Sequence, residues 1–238
     1  LFQNHAGGGP VTGSFALSMQ TMIILSGLFI SITIAAMPAL SRSAKRGDQK
    51  DLLFLDTFIR ALFLLCAAGA IAGVVLGPIL IPLIFGERYM LTAQLIGPAL
   101  WCLLPFSVAA TLTVFTIARG HYYISPACHL SGVAVLSTLV DQLGPLGGIV
   151  SAGLGMSTSS VCLIIIALIR NWIVAGKTLI YPLLCVASML ATYALLAPVS
   201  IWLAFTACLL VLFVLALKLS VISAADRRLV RKLLSRSS

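Results

Sequence analysis

Residues 178–217 read TLIYPLLCVASMLATYALLAPVSIWLAFTACLLVLFVLAL, a run of forty residues that contains no charged side chain. A helix needs about 20 consecutive apolar residues to cross the roughly 30 Å of hydrocarbon in a bilayer. Forty residues therefore suffice for two crossings, and Pro198 near the middle marks a break between them. The run predicts two membrane helices joined by a tight turn at Ala197-Pro198-Val199.

The rest of the chain has the same character. Of its 238 residues 61% are apolar and 9% are charged, whereas a soluble domain carries about a quarter charged side chains. A porin-type barrel needs segments of about 10 residues that alternate in polarity, but the apolar segments here are continuous and two to three times as long. We therefore predict an all-α fold, a polytopic transmembrane bundle of seven spans. The spans cover residues 13–40, 52–85, 89–118, 124–143, 146–174, 178–197 and 199–222.

The basic residues predict the orientation of these spans. With seven alternating crossings, fourteen of the fifteen Lys and Arg residues fall on one side, and Arg88 stands alone on the other. Short cytoplasmic loops collect Lys and Arg, which predicts a cytoplasmic C-terminus, a basic cytoplasmic tail at 223–238 and an extracytoplasmic loop at 1–12. The net charge of +9 then reflects topology and attraction to anionic membrane lipids rather than nucleic-acid binding.

Catalytic and metal-binding patterns are absent from the sequence. The six cysteines all lie within predicted spans and lack the close spacing of a zinc site or redox pair. No phosphate-binding Gly-rich loop and no His-Glu-x-x-His motif occurs. We therefore predict no enzyme activity, no catalytic residue, no metal and no cofactor.

Polar side chains within the spans are the candidates for a substrate path, because such groups are costly in a bilayer. The candidates are Gln20, Arg60, Gln94 and Asp141. Asp56 and Arg60 have the i, i+4 spacing of a helical ion pair, which we expect to be solvated or interfacial. His129, early in its span, is also expected to be interfacial.

Glycine and proline predict how the helices pack and where they bend. Small residues let helix backbones approach closely in a membrane, and the helix-packing candidates are Gly69, Gly73, Gly77 and Gly148. Gly155 belongs to a Gly-rich segment suited to the same close crossing. Pro98 and Pro105 in the third segment predict a bent or locally unwound helix, a feature that in transporters often accompanies a cavity.

Several motifs occur in an order that resembles one transporter family. They are Met37-Pro38-Ala39-Leu40-Ser41-Arg42, Gly47-Asp48, Arg60, Pro78-Ile79, Leu83-Ile84-Phe85-Gly86-Glu87-Arg88-Tyr89, Ala118-Arg119-Gly120 and Leu143-Gly144-Pro145-Leu146-Gly147-Gly148. Together they resemble the second lobe of the polysaccharide and lipid-linked oligosaccharide flippases, within the multidrug, oligosaccharidyl-lipid and polysaccharide exporter superfamily. The Phe-Gly-Glu-Arg-Tyr loop is more similar to polysaccharide flippases than to the lipid II branch.

The resemblance implies a place within a larger protein. Family members have two six-helix lobes around a central cavity, and one branch adds two helices at the C-terminus. Residues 13–174 would then supply five helices of the second lobe and residues 178–222 the two additional helices. The resemblance implies a full protein that starts inside, so an outside N-terminus for this segment implies that an odd number of spans precedes it, and the family plan makes that number seven. The expected partners are a lipid-linked saccharide substrate and the missing N-terminal lobe of the same protein.

The implied activity is the movement of lipid-linked saccharides, for cell-surface polysaccharide or peptidoglycan, across a bacterial inner membrane by alternating access. Two alternatives remain open at this stage. One is a cation-coupled multidrug exporter of the same superfamily, which would need a buried acid in the missing lobe. The other is a non-transporting membrane scaffold or subunit, in which seven spans with few buried polar groups would be ordinary.

Overall fold

The computed structural model describes residues 10–46, 49–139, 144–173, 178, 180–198 and 200–218. Over these residues the chain is helical and contains no strand. The α-helices are α1 (Pro10–Arg46), α2 (Gln49–Phe85), α3 (Met90–Trp101), α4 (Leu103–Ala118), α5 (Ile124–Leu139), α6 (Gly144–Ile169), α7 (Tyr181–Leu196) and α8 (Ile201–Lys218). Asp141 and the predicted tail at 223–238 lie outside the described residues, as does most of the predicted loop at 1–12.

Among the described residues, seven helical segments correspond to the seven predicted spans when α3 and α4 are taken as one. Four of these segments are long and apolar enough to cross a membrane: Gly13–Arg42, Phe54–Phe85, Glu87–Ala118 and Gly148–Ile169. Three apolar helices are shorter: Ile124–Leu139, Tyr181–Leu196 and Ile201–Leu215. The all-helical class is therefore confirmed for the described part of the chain.

The predicted interruption of the third segment is also confirmed. α3 ends at Trp101 and α4 begins at Leu103, with Cys102 in a turn between them. Pro98 and Pro105 flank this turn, and proline removes a helical N–H donor while its ring clashes with the preceding turn. The Ser160 hydroxyl of α6 donates to the Pro105 carbonyl oxygen at 2.5 Å. Side chains of a neighbouring helix thus contact the backbone where the helix is interrupted.

The helices form three groups around this interrupted helix. α1 packs against both α3 and α4, while α2 forms a hairpin with α3 through the short 3-10 turn Glu87–Tyr89. α5 pairs with α6, which also lies against α4, and the α7–α8 pair contacts α2. The buried core accordingly runs along α2, α3 and α4.

Two of the predicted packing glycines lie at the contact between α2 and α3. A Cβ on Gly77 would lie 2.5 Å from Ile96 Cγ2, and one on Gly73 would overlap the Leu100 side chain. The prediction for Gly69 is wrong, because no atom lies within 4 Å of the position its Cβ would take. Gly69 is exposed. Gly148 is buried in α6.

α4 and α6 end in the same way. The N–H of His121 donates to the Thr116 carbonyl oxygen (2.9 Å) and that of Gly120 to the Ile117 carbonyl oxygen (2.9 Å), which is the Schellman pattern. At the end of α6, Trp172 and Asn171 donate to Ala167 and Leu168 in the same pattern. Both turns need a left-handed residue, which is Gly120 at φ 79° and Asn171 at φ 54°.

Substitution of the left-handed residue provides a first test. Gly120→Ala is expected to lower the free energy of unfolding by about 1 kcal/mol, because alanine is strained at positive φ. Asn171→Gly, the control at the equivalent position of α6, relieves such strain and should leave stability unchanged or slightly higher. Thermal unfolding of the purified protein in detergent measures both changes, and equal effects of the two substitutions would contradict the assignment of the turns.

Candidate functional site

Two adjacent cavities lie against the interrupted helix. They measure about 320 Å³ and about 300 Å³ and share Trp101, Pro105 and Ser157 in their walls. We call the pair the break groove. The remaining wall residues are Phe63, Leu104, Val108, Ser160, Val161, Ile164, Thr178, Pro182 and Leu183 in the larger cavity, and Pro98, Cys102, Ile149, Val150 and Gly153 in the smaller one.

The break groove lies beside the interruption at Cys102, and Cys102 itself lines the smaller cavity. Its mouth lies where Val161 (51% exposed) and Leu183 (54% exposed) stand at the surface. The walls come from α2, α3, α4, α6 and α7, so no single segment of sequence forms it. None of the wall residues is charged. The groove therefore suits an apolar ligand.

Hydroxyl groups are the main polar elements of this groove. Ser157 Oγ donates to the Gly153 carbonyl oxygen at 2.7 Å within its own helix. Ser160 Oγ donates to the Pro105 carbonyl oxygen. Thr178 is 1% exposed, and its Oγ1 has no hydrogen-bond partner among the described residues. An unsatisfied buried hydroxyl costs about 1 to 3 kcal/mol. Thr178 therefore places a buried hydroxyl without a described partner in the wall of a groove that is otherwise largely apolar.

A second cluster joins the C-terminal ends of α4 and α6. His121 and Trp172, which follow the two left-handed residues, stack with ring centroids 5.9 Å apart. Phe115 meets Trp172 edge-on at 5.4 Å, and the Arg119 guanidinium lies 5.3 Å from the Phe115 ring centroid. Cation–π contacts of this kind stabilise a partly desolvated arginine. The cluster fixes these two helix ends relative to each other.

The predicted substrate-path residues do not form one site. Gln20 and Gln94 are exposed on α1 and α3, and neither lines the break groove. Arg60 is 2% exposed and Asp56 7%, so the expectation of a solvated pair is wrong, while an interfacial position of the pair stays a prediction. Arg60 Nη2 lies 3.0 Å from Asp56 Oδ2, and packing of α2 among its neighbours, which i, i+4 spacing cannot reveal, buries both.

Sequence reasoning found part of the break groove and missed the rest. Pro98 and Pro105 indicated a bend, and both line the groove. Trp101, Ser160 and Thr178 had no distinguishing signal, because an apolar or hydroxyl residue in a span has many ordinary explanations. Among the described residues no group of three His, Cys, Asp or Glu side chains could hold a metal ion.

Comparisons of the chain with protein-family models, with curated proteins and with solved structures found no match. The class of the protein consequently follows from the fold alone. In its described residues it is an all-helical protein with four helices long and apolar enough to cross a membrane.

Proposed function

We propose that this chain is the C-terminal part of a transporter that moves lipid-linked saccharides across the bacterial inner membrane by alternating access. The observation that carries the proposal is the break groove, an uncharged cleft beside an interrupted helix. Interrupted helices line substrate paths in many transporters. The motif order that resembles polysaccharide flippases supports the same class of cargo.

The walls of the groove suit the lipid part of such a cargo. A polyprenyl chain is uncharged and elongated, and the groove is lined by apolar side chains such as Leu104, Val108 and Ile164. The saccharide and diphosphate need polar partners, which the wall residues do not supply beyond the hydroxyls. In this proposal those partners lie in the first lobe, and Gln20, Gln94 and Arg60 stay predictions for the local contribution.

The interrupted helix supplies the movable element. At Cys102 the backbone tightens to a single turn in which the Cys102 N–H donates to the Ala99 carbonyl oxygen at 3.2 Å, and Pro105 supplies no N–H three residues later. In this proposal the angle between α3 and α4 changes at that turn. The contact between Ser160 and the Pro105 carbonyl ties this angle to α6. A change of angle at Cys102 would alter the width of the groove.

A plug in the groove tests the proposal. Ser157 is shared by both cavities, and Ser157→Trp in the full-length protein should abolish restoration of surface polysaccharide in a flippase-deficient strain, because indole would occupy the groove. Thr158→Trp is the control, since Thr158 is adjacent on α6, partly buried and absent from the groove walls. Surface polysaccharide and the lipid-linked precursor in the inner leaflet are measured together.

The two readouts separate the outcomes. Restoration by the unmodified protein and by Thr158→Trp, with precursor accumulation in Ser157→Trp, supports the proposal. Failure of the unmodified full-length protein to restore polysaccharide, with the precursor still in the inner leaflet, contradicts it. Equal activity of the two tryptophan variants at equal membrane abundance removes the groove from the transport path.

A further inference from the structure

A third cavity lies away from the break groove, between α4, α5 and α6. It measures about 260 Å³, and we call it the α5 cavity. It spans two turns of α5, from His129 to Leu136, which correspond to about 10 Å of helix. Its wall residues are Phe106, Ala109, His129, Gly132, Val133, Leu136, Ala152, Gly155, Met156 and Ser159.

The α5 cavity results from uneven packing of α5. On one side α5 crosses α6 so closely that a Cβ on Gly155 would lie 2.7 Å from the Gly132 carbonyl oxygen. On the other side α5 contacts α4 at few positions. Because α6 also packs against α4, it forms the floor of a cleft whose two sides are α4 and α5. Val133, 59% exposed, stands at the mouth.

One end of this cavity is polar. Thr113 Oγ1 of α4 lies 2.8 Å from Ser125 Oγ and 3.1 Å from His129 Nε2, both of α5. These hydrogen bonds close the cleft near the turn that joins the two helices. When Ser125 donates to Thr113 and Thr113 donates to Nε2, the remaining imidazole proton is on Nδ1. Nδ1 has no hydrogen-bond partner among the described residues, and His129 is exposed.

We propose that the α5 cavity binds the acyl chain of an amphiphile whose headgroup oxygen accepts a hydrogen bond from His129. The walls beyond His129 are apolar apart from Ser159, whose hydroxyl donates to the Gly155 carbonyl oxygen at 3.1 Å. No wall residue other than His129 is ionisable. An apolar slot with one donor at its end fits a chain that terminates in a carboxylate, an ester or a phosphate.

An ionisable side chain in an apolar helix bundle is a candidate functional group. His129 is exposed, but its ring is held by a hydrogen bond between Nε2 and Thr113, which is itself hydrogen-bonded to Ser125. The α5 cavity shares no wall residue with the break groove. The inference is therefore independent of the cargo proposed for that groove.

Photolabelling tests the inference. The full chain is reconstituted in phosphatidylcholine vesicles that contain a trace of either a free fatty acid or a phosphatidylglycerol, each with a diazirine in the middle of its acyl chain. After irradiation, peptide mass spectrometry locates the adducts. We expect adducts at Val133, Leu136 and Met156, and their loss in Val133→Trp, because the indole would fill the mouth of the cavity.

Matched variants make the result decisive. Leu130→Trp changes an exposed residue of the same helix (67% exposed) that does not line the cavity, and its labelling should equal that of the unmodified protein. His129→Ala should weaken labelling about fivefold, as expected for one lost hydrogen bond, whereas His121→Ala should not.

The two probes distinguish the headgroup. Labelling by one probe identifies the headgroup class, and labelling by both indicates recognition of the acyl chain with any oxygen acceptor. Equal labelling in Val133→Trp and Leu130→Trp, or adducts spread evenly over exposed apolar positions of α1, would overturn the proposal.

Discussion

Arg60→Met is expected to destabilise the protein more than any other single substitution proposed for it. The Arg60 guanidinium contacts Asp56 Oδ2 at 3.0 Å and donates to Thr57 Oγ1 at 3.3 Å and to the Asp56 carbonyl oxygen at 3.2 Å. Removal of one partner leaves a buried charge uncompensated, which costs about 3 to 5 kcal/mol. In a chain of this size that loss lowers Tm by roughly 6 to 20 °C, measurable by thermal unfolding in detergent.

A double variant distinguishes the stability lost through an unpaired buried charge from the stability lost through poorer side-chain packing. Asp56→Leu combined with Arg60→Met should recover most of the lost stability, because apolar residues of similar size often replace a buried ion pair without cost. Arg42→Met is the control, since Arg42 is exposed and makes no ion pair among the described residues; its effect should stay within about 0.5 kcal/mol. An Arg60→Met variant as stable as Arg42→Met would show that the pair is solvated.

Gly132→Leu should produce the second-largest loss of stability, because it forces α5 and α6 apart. A Cβ at Gly132 would overlap the Gly155 carbonyl oxygen and the Ser159 hydroxyl, so even the first added carbon meets backbone that cannot move independently. Overpacking of this kind costs about 3 kcal/mol, which corresponds to a fall in Tm of roughly 6 to 12 °C. Thermal unfolding and the yield of monodisperse protein in detergent report the effect.

The matched control for that substitution is Gly69→Leu. Gly69 is also a helical glycine, but it faces open space, and leucine has the higher helix propensity. Its stability should equal or slightly exceed that of the unmodified protein. If Gly69→Leu destabilised the protein as strongly as Gly132→Leu, the α5–α6 crossing would not be closer than the average contact in the bundle.

The sequence predicted those features that depend on local properties. Each of the seven apolar segments contains a helix in the part of the chain that the structure describes, because segment length and hydropathy act on each stretch independently of its neighbours. The interruption between α3 and α4 was predicted from Pro98 and Pro105, since a missing N–H and a ring clash need no tertiary partner. Gly155, noted as part of a segment suited to close crossing, does lie at such a crossing.

Features that depend on which helix faces which could not be predicted in the same way. The i, i+4 spacing of Asp56 and Arg60 predicted their pairing but not their burial. The spacing of Gly69, Gly73 and Gly77 placed them on one face, yet Gly69 lies beyond the contact with α3. His129 was expected to be interfacial, and its contact with Thr113 joins residues sixteen positions apart whose helices meet only after the chain folds.

An all-helical protein built from long apolar helices, one of them interrupted, could therefore be predicted from the residues. Hydropathy and proline content are properties of each segment alone, so the features that depend on them can be predicted without knowledge of the packing. The location of the break groove, the burial of the Asp56–Arg60 pair, and the α5 cavity with His129 at its polar end follow only from the packing of the helices. Each of these is a contact between segments distant in the chain, and its free energy depends on the complementary shape of both surfaces, which no single segment encodes.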